Sequence, residues 1–187
     1  TIPNRLIEKV YTDDFADQSF VQSGMRCGYD SFSSTPFDFN GDGWTDLFVS
    51  NFGWPSLLHV NRGWGTFRQI SHTLDLPTQA ATIAALPADF DNDGDYDLYV
   101  LNGAGEPNRL FENTNTRLID VTNDMNVGGR ASTLGGAWLD IDNDGYLDLI
   151  TSNVGVPPDI FHNSASQGFT TVSTQAIDPA SRDRVRT

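Results

Sequence analysis

The stretch DFNGDGWTDLFVSN, residues 38–51, decides the fold of this chain. It places oxygen-bearing side chains at alternating positions and then enters a short apolar run without a break. The same arrangement returns as DFDNDGDYDLYVLN from Asp89 and as DIDNDGYLDLITSN from Asp140. Successive copies begin 51 residues apart, so the chain contains a threefold internal repeat.

The repeat extends beyond the acidic loops. Paired small residues precede each loop, and a β-prone run ending in asparagine follows it. A turn rich in glycine and proline and two more short β-prone runs complete each unit. The paired residues are Ser33-Ser34, Ala84-Ala85 and Gly135-Gly136, and the asparagines are Asn51, Asn102 and Asn153.

Four short strands in about 50 residues are typical of β-propeller blades and less so of a meandering β-sandwich, the alternative that we considered. The paired small residues fit a first strand that is crowded around a propeller axis. We therefore predict an all-β fold, a propeller-type array of about three four-stranded blades. The array would be a partial propeller or one completed by neighbouring chains.

We expect one domain over residues 1–187, made of three repeated blades and two flanking end segments. Three blades are too few to close a propeller, which typically has four or more. The chain would thus be a fragment of a larger propeller, would form a degenerate fourth blade from its ends, or would be completed by a neighbour. The predicted parts are a spare N-terminal strand at 5–12, blades at about 31–73, 82–122 and 132–173, and a C-terminal tail at 174–187.

The formal charge of −14 argues against nucleic acid or an anionic membrane surface as a partner. The apolar runs are too short to cross a bilayer, so we expect no membrane insertion. Twelve of the 25 carboxylates lie in the windows 38–46, 89–97 and 140–148. Solubility does not require such clustering, but a cation site does.

The three windows follow the pattern D-x-[D/N]-x-D-G-x-x-D, and a glycine at the sixth position supplies a sharp turn. Two carboxylates ~5 Å apart repel by roughly 3 kcal/mol at an effective dielectric constant of ~20, so converging acids need a cation. All-oxygen donors favour Ca²⁺, and we predict about three ions per chain, one in each loop. The side-chain ligands would be Asp38, Asn40, Asp42 and Asp46; Asp89, Asp91, Asp93 and Asp97; and Asp140, Asp142, Asp144 and Asp148. The seventh-position residues Trp44, Asp95 and Tyr146 would each add a backbone carbonyl.

An EF-hand would carry glutamate at position 12 of the loop, where this chain has Val49, Val100 and Thr151. The loop followed by a β-strand instead resembles the FG-GAP/VCBS repeat family, whose calcium-loop blades occur in integrin α-subunit propellers and many secreted bacterial proteins. The resemblance covers about residues 30–175. It implies that each ion sits in a hairpin between the first two strands of a blade and stabilises that hairpin.

The sequence predicts no catalytic residues and no organic cofactor. The histidines are His59, His72 and His162, and we align His59 with His162 as equivalent positions in the first and third blades. Neither a nucleophile elbow nor an HExxH motif is present. We therefore expect a non-enzymatic protein.

These observations predict an extracellular or cell-surface calcium-binding module that serves structure, adhesion or protein interaction. Weak calcium sites fill at millimolar calcium, which points to the outside of the cell. The expected partner is a protein, with identical subunits as one candidate. The alternatives are a self-assembling subunit of an extracellular filament or sheath and a glycan-binding lectin. For the lectin we expect Trp54 and Trp64 to be exposed, and Trp44 and Trp138 to be buried between blades.

Overall fold

A four-stranded antiparallel meander is the repeating unit of this chain. The computed structural model describes residues 7–9, 15–17, 29–71, 76, 80–129, 132–164 and 168–172. The strands in chain order are β1 (Ile7–Lys9), β2 (Phe15–Asp17), β3 (Ser31–Phe37), β4 (Asp46–Trp54), β5 (Leu57–Asn61), β6 (Phe67–Gln69), β7 (Ala80–Ala88), β8 (Asp97–Asn102), β9 (Arg109–Asn113), β10 (Leu118–Asp120), β11 (Thr133–Leu139), β12 (Asp148–Asn153), β13 (Asp159–Ser164) and β14 (Gly168–Val172). Strands β3–β6, β7–β10 and β11–β14 form the three meanders, which we call the first, second and third blade.

The first two blades are hydrogen-bonded into one sheet of eight strands, and the third forms a separate four-stranded sheet. The connection exists because β4 continues beyond its own blade and pairs with β7, with Phe52 opposite Ala81. A four-residue helix, α1 (Thr122–Met125), lies between the second and third blades. Within the described residues, no helical segment has the length and apolarity that a membrane span requires. The fold is thus the predicted all-β, partial propeller array.

The first strand of each blade carries the same β-bulge at the same place. The register shifts between Ser31 and Ser33, between Thr82 and Ala84, and between Thr133 and Gly135. The hydroxyl group that begins each bulge donates to the repeated asparagine on the following strand. These pairs are Ser31–Asn51 at 2.8 Å, Thr82–Asn102 at 3.1 Å and Thr133–Asn153 at 2.9 Å. The repeated asparagines therefore tie the second strand of each blade to the bulge of its first strand, which explains their place in the pattern.

Strand β8 is buried on both faces and separates two apolar cores. Leu98 and Val100 point to the core shared with the first blade. Tyr99 and Leu101 point to the core shared with the third blade. Because successive side chains of a strand face opposite sides, one six-residue strand serves both cores. The second blade is therefore sandwiched between its two neighbours.

The paired small residues lie on the first strands β3, β7 and β11, as the sequence predicts. Thr35 Oγ1 donates to the Ala85 carbonyl at 3.1 Å, and Trp138 Nε1 donates to the Leu86 carbonyl at 3.1 Å. These bonds join the first strands of neighbouring blades directly. A methyl group on Gly136 would lie 2.8 Å from the Ile150 carbonyl oxygen, so the close approach requires glycine there.

A short strand lies within the predicted N-terminal segment at 5–12, outside the three blades. Residues Ile7–Lys9 pair antiparallel with Phe15–Asp17, a strand that the sequence reading did not include. The two form a sheet of their own, separate from the blades. The remaining part of the predicted 5–12 segment and the tail at 174–187 lie outside the described residues, and the single-domain boundaries stay a prediction.

We expect Gly136→Ala to destabilise the fold because its new methyl group would overlap the neighbouring strand. Overpacking of this kind lowers the free energy of unfolding by about 1–3 kcal/mol. The matched control is Gly135→Ala, whose methyl group would meet only Ser152 Oγ at an ordinary 3.5 Å. Urea unfolding followed by tryptophan fluorescence measures both variants. Equal stability of the two would contradict the packing argument.

Candidate metal centres

The three acidic windows form equivalent hairpin loops between the first two strands of each blade. Loop 1 (residues 38–46) joins β3 to β4, loop 2 (89–97) joins β7 to β8, and loop 3 (140–148) joins β11 to β12. The sixth-position glycines have φ angles of 84°, 99° and 90°, a left-handed conformation that favours glycine. The fourth position is left-handed as well, at Gly41, Asn92 and Asn143. The sequence reading missed this requirement, although Gly or Asn stands there in all three loops.

The first carboxylate of each loop accepts two backbone N–H bonds from the turn that follows it. In loop 1, Asp42 N and Gly43 N donate to the two oxygens of Asp38 at 3.2 and 2.8 Å. Loop 2 repeats these bonds at Asp89 and loop 3 repeats them at Asp140. The backbone thus folds around its own carboxylates, which turns the side chains of the loop towards one point.

The ninth-position carboxylates Asp46, Asp97 and Asp148 are fully buried and fasten each loop to the third strand of its blade. One oxygen accepts the N–H of the second loop residue, at 2.8–3.1 Å. The other oxygen accepts the N–H of Asn61, Asn113 or Asn163, at 2.6–2.9 Å. Burial raises the pKa of Asp97 to about 7 and also raises the pKa of Asp46, so the charged form carries a cost that a nearby cation would offset.

Three groups of side chains in the described residues could hold a metal ion. Within each group the ligand atoms lie within 4.8 Å of one another. The groups are Asp89 with Asp91 and Asp97; Asp140 with Asp142 and Asp148; and Asp142 with Asp144 and His162. Loops 2 and 3 therefore converge three of their four predicted side-chain ligands.

Loop 1 supplies three carboxylates and an amide in place of the third-position acid. Asn40 Nδ2 donates to Asp42 Oδ2 at 2.9 Å, and Asn40 Oδ1 accepts the Asp42 N–H at 3.2 Å. The backbone bonds of Asp38 and Asp46 match those of the other loops, so the frame of the loop is the same. Its ligand set is less negative than that of loops 2 and 3.

The seventh-position residues Trp44, Asp95 and Tyr146 donate their backbone N–H to the fifth-position carboxylate, at 2.8–3.1 Å. Their predicted role as carbonyl ligands stays a prediction. Asp95 has a further feature, because its Oδ1 is buried and has no hydrogen-bond partner among the described residues. Burial and the charge of Asp93 raise the pKa of Asp95 to about 6. The all-oxygen donors of the loops fit a hard cation.

His162, on strand β13, contacts the third loop, which the sequence reading missed. Its Nε2 lies 2.9 Å from Asp142 Oδ2, and the contact raises the pKa of His162 and lowers that of Asp142. The predicted equivalence with His59 is wrong. The strand registers place His59 opposite Leu47, as Phe161 is placed opposite Leu149, so His59 is a buried core residue. His72 lies outside the described residues.

The exposure of the tryptophans differs from the prediction at one position. Trp54 and Trp64 are exposed as expected, at 49% and 91%. Trp44 is 50% exposed, so the prediction that it is buried between blades is wrong. It stands in loop 1, and one side of its ring lies near Gly63 of the same blade. Trp138 packs among Phe90, Tyr99 and Phe169, in the core between the second and third blades.

Repeated four-stranded blades with an acidic hairpin loop between their first two strands define a β-propeller-type repeat protein. A family model described as FG-GAP-like repeat matches residues 38–100 and 89–151. The matches together span more than half of the chain, so the chain belongs to the FG-GAP-like repeat family. This confirms the resemblance seen in the sequence. Comparison with curated protein sequences found no match.

We expect the metal-free protein to lose stability as the pH rises through about 7. The folded-state pKa of Asp97 lies above its ordinary value of 3.8, so its protonated form adds to the free energy of unfolding. That contribution is full below pH 3.8 and is lost as the pH rises through about 7. Thermal unfolding in metal-stripped buffer between pH 5 and 8 measures the effect.

The variant Asp97→Asn serves as the control for that titration, because it keeps the shape of the side chain without its proton equilibrium. Its melting temperature should depend less on pH over the same range. A wild-type melting temperature that rises from pH 5 to pH 8 without metal would contradict the expectation.

Proposed function

We propose that this chain is a non-enzymatic, extracellular calcium-binding β-propeller module that serves structure, adhesion or protein interaction. The observation that carries the proposal is the convergence of carboxylates in equivalent loops of successive blades. Like charges at such distances repel unless a cation joins them. Oxygen donors from carboxylate and amide groups match the preference of Ca²⁺.

In this proposal the first, third, fifth and ninth residues of each loop hold one Ca²⁺ ion, and the seventh residue adds its carbonyl. The ion would supply the positive charge that the acidic hairpin lacks. The chain's own contribution is the frame of backbone N–H bonds that orients the carboxylates. His162 on strand β13 contacts Asp142 of loop 3.

A structural role agrees with where the titratable groups lie. In each metal-competent cluster of the described residues, every acid lies in a loop at a blade hairpin, and His162 adds to loop 3 from strand β13. Filling the loops would therefore stabilise blades and not activate a substrate. Extracellular placement follows from the millimolar calcium that weak sites of this kind require. The proposed partner is another protein, for which a rigid blade array supplies the surface.

Removing one fifth-position acid tests the ligand assignment. Asp93→Ala should reduce the calcium count from three to two per chain in native mass spectrometry. At a calcium concentration 100 times the dissociation constant, loss of one site lowers the free energy of unfolding by about 2.7 kcal/mol.

The matched control is Glu106→Ala, which removes an exposed acid of the same blade outside the loop. It should leave the count at three. An unchanged count in Asp93→Ala would refute the assignment of loop 2, and a wild-type protein without bound calcium would refute the proposal.

Glycan binding is the second candidate, and one observation favours it. Tyr29 and Trp54 stack with ring centroids 5.0 Å apart at an exposed edge of the first blade. Phe32 and Phe52 form a second exposed ring pair, with centroids 5.4 Å apart. Exposed aromatic faces are suited to the apolar faces of sugar rings.

A panel of soluble oligosaccharides titrated against tryptophan fluorescence tests this candidate. Binding at the ring pair should be lost in Trp54→Ala and kept in Trp64→Ala, whose indole is 91% exposed on the β5–β6 turn. Equal loss in both variants would contradict the ring pair as the site. No response to any sugar would exclude binding of the oligosaccharides in the panel.

A further inference from the structure

Asn113 and Asn163 each reach from their own blade to the loop of the preceding blade. Asn113 Nδ2 donates to the Phe39 carbonyl at 2.7 Å, and Asn163 Nδ2 donates to the Phe90 carbonyl at 2.8 Å. Both asparagines are almost fully buried, at 1% and 4% exposure. A buried amide and carbonyl that lost each other would have no water to replace the bond. The contact is therefore a fixed part of each junction between blades.

Phe39 and Phe90 occupy the second position of their loops, between the first and third candidate ligands. The Phe39 N–H is held by Asp46 of the same loop, while its carbonyl is held by Asn113 of the next blade. The backbone between Asp38 and Asn40 is thus fixed from two sides. One of those sides belongs to a different blade.

Each asparagine also contacts the loop of its own blade. The Asn113 backbone N–H donates to Asp97 Oδ1 at 2.9 Å, and its side chain donates to the Tyr96 carbonyl at 3.0 Å. Asn163 makes the same pair of bonds, to Asp148 and Leu147. A continuous series of hydrogen bonds therefore runs from loop 1 through loop 2 to loop 3.

We propose that Asn113 and Asn163 are positioning residues that couple each loop to the blade that follows it. How firmly the backbone of loop 1 is held then depends on the second blade, and how firmly that of loop 2 is held depends on the third. The effect on cation affinity rests on the proposed calcium function, whereas the effect on loop order does not. Asn61, at the same position of the first blade, donates its side-chain N–H only to Thr45 of its own loop, as far as the described residues extend.

Loops 2 and 3 share a second bond that loop 1 lacks. Asn92 Nδ2 donates to the Gly145 carbonyl at 3.1 Å. The equivalent residue of loop 1 is Gly41, which has no side chain to make such a bond. Loop 1 is therefore the loop whose order should respond most clearly to its asparagine.

Hydrogen exchange of the metal-free protein tests the coupling without any ligand. Asn113→Ala should speed exchange in residues 38–46 by about tenfold, because a buried bond that holds the loop is lost. Asn163→Ala is the matched control. It should speed exchange in 89–97 and 140–148 and leave 38–46 unchanged.

Equal acceleration of 38–46 by both variants would show general loosening and overturn the proposal, as would no change of 38–46 in Asn113→Ala. If Asn113→Ala does not fold, as judged by circular dichroism, Asn163→Ala answers the same question one blade along. Hydrogen exchange in residues 89–97 of the second blade must then be faster in Asn163→Ala for the proposal to stand.

Terbium, a luminescent substitute for Ca²⁺, tests the effect on affinity. Excitation of Trp44 reports on loop 1, and Trp44→Phe should remove that signal. Asn113→Ala should weaken terbium binding in loop 1 about tenfold, as loss of an outer-shell partner typically does, whereas Asn163→Ala should not. A wild-type protein that binds neither terbium nor calcium, yet shows the exchange pattern, would overturn the calcium proposal and support the coupling.

Discussion

The structure depends on a buried aspartate at the end of each acidic loop. Asp46, Asp97 and Asp148 lie in the core of their blades, where an uncompensated carboxylate would be costly. Each one accepts a backbone N–H from the beginning of its loop and another from the third strand of its blade. A single side chain therefore closes the hairpin and ties it to the next hairpin, which makes the loop part of the blade and not an appendage.

Each blade of this architecture is stabilised by its contacts with the adjacent blade. The two faces of β8 supply both cores, and the first strands approach closely where Gly136 leaves room for the neighbouring blade. Asn113 and Asn163 add polar bonds across the same junctions. Repeat proteins in which each unit contacts only its neighbours behave as nearly one-dimensional systems. The middle blade accordingly contributes side chains to both described cores.

In the acidic loops, backbone N–H groups orient the carboxylates, and a cation would neutralise their charge. Backbone N–H groups orient the carboxylates of Asp89 and Asp140 by hydrogen bonds within the loop. Those bonds leave the charges of the converging acids in place. A divalent cation would supply what hydrogen bonds do not, namely net positive charge at the point of convergence. In this way the fold prepares the geometry, and the ion would stabilise it.

The sequence alone determined the repeat, the strands of each blade and the acidic loops, because these follow from alternation, turn residues and spacing between near neighbours in the chain. The tertiary structure decided the rest. The contact between Asn113 and Phe39 joins residues 74 positions apart, and the place of His162 beside Asp142 depends on strand register. The 50% exposure of Trp44 depends on how its ring lies against Gly63 of the same blade. No local pattern encodes such contacts, since they exist only after the blades have packed together.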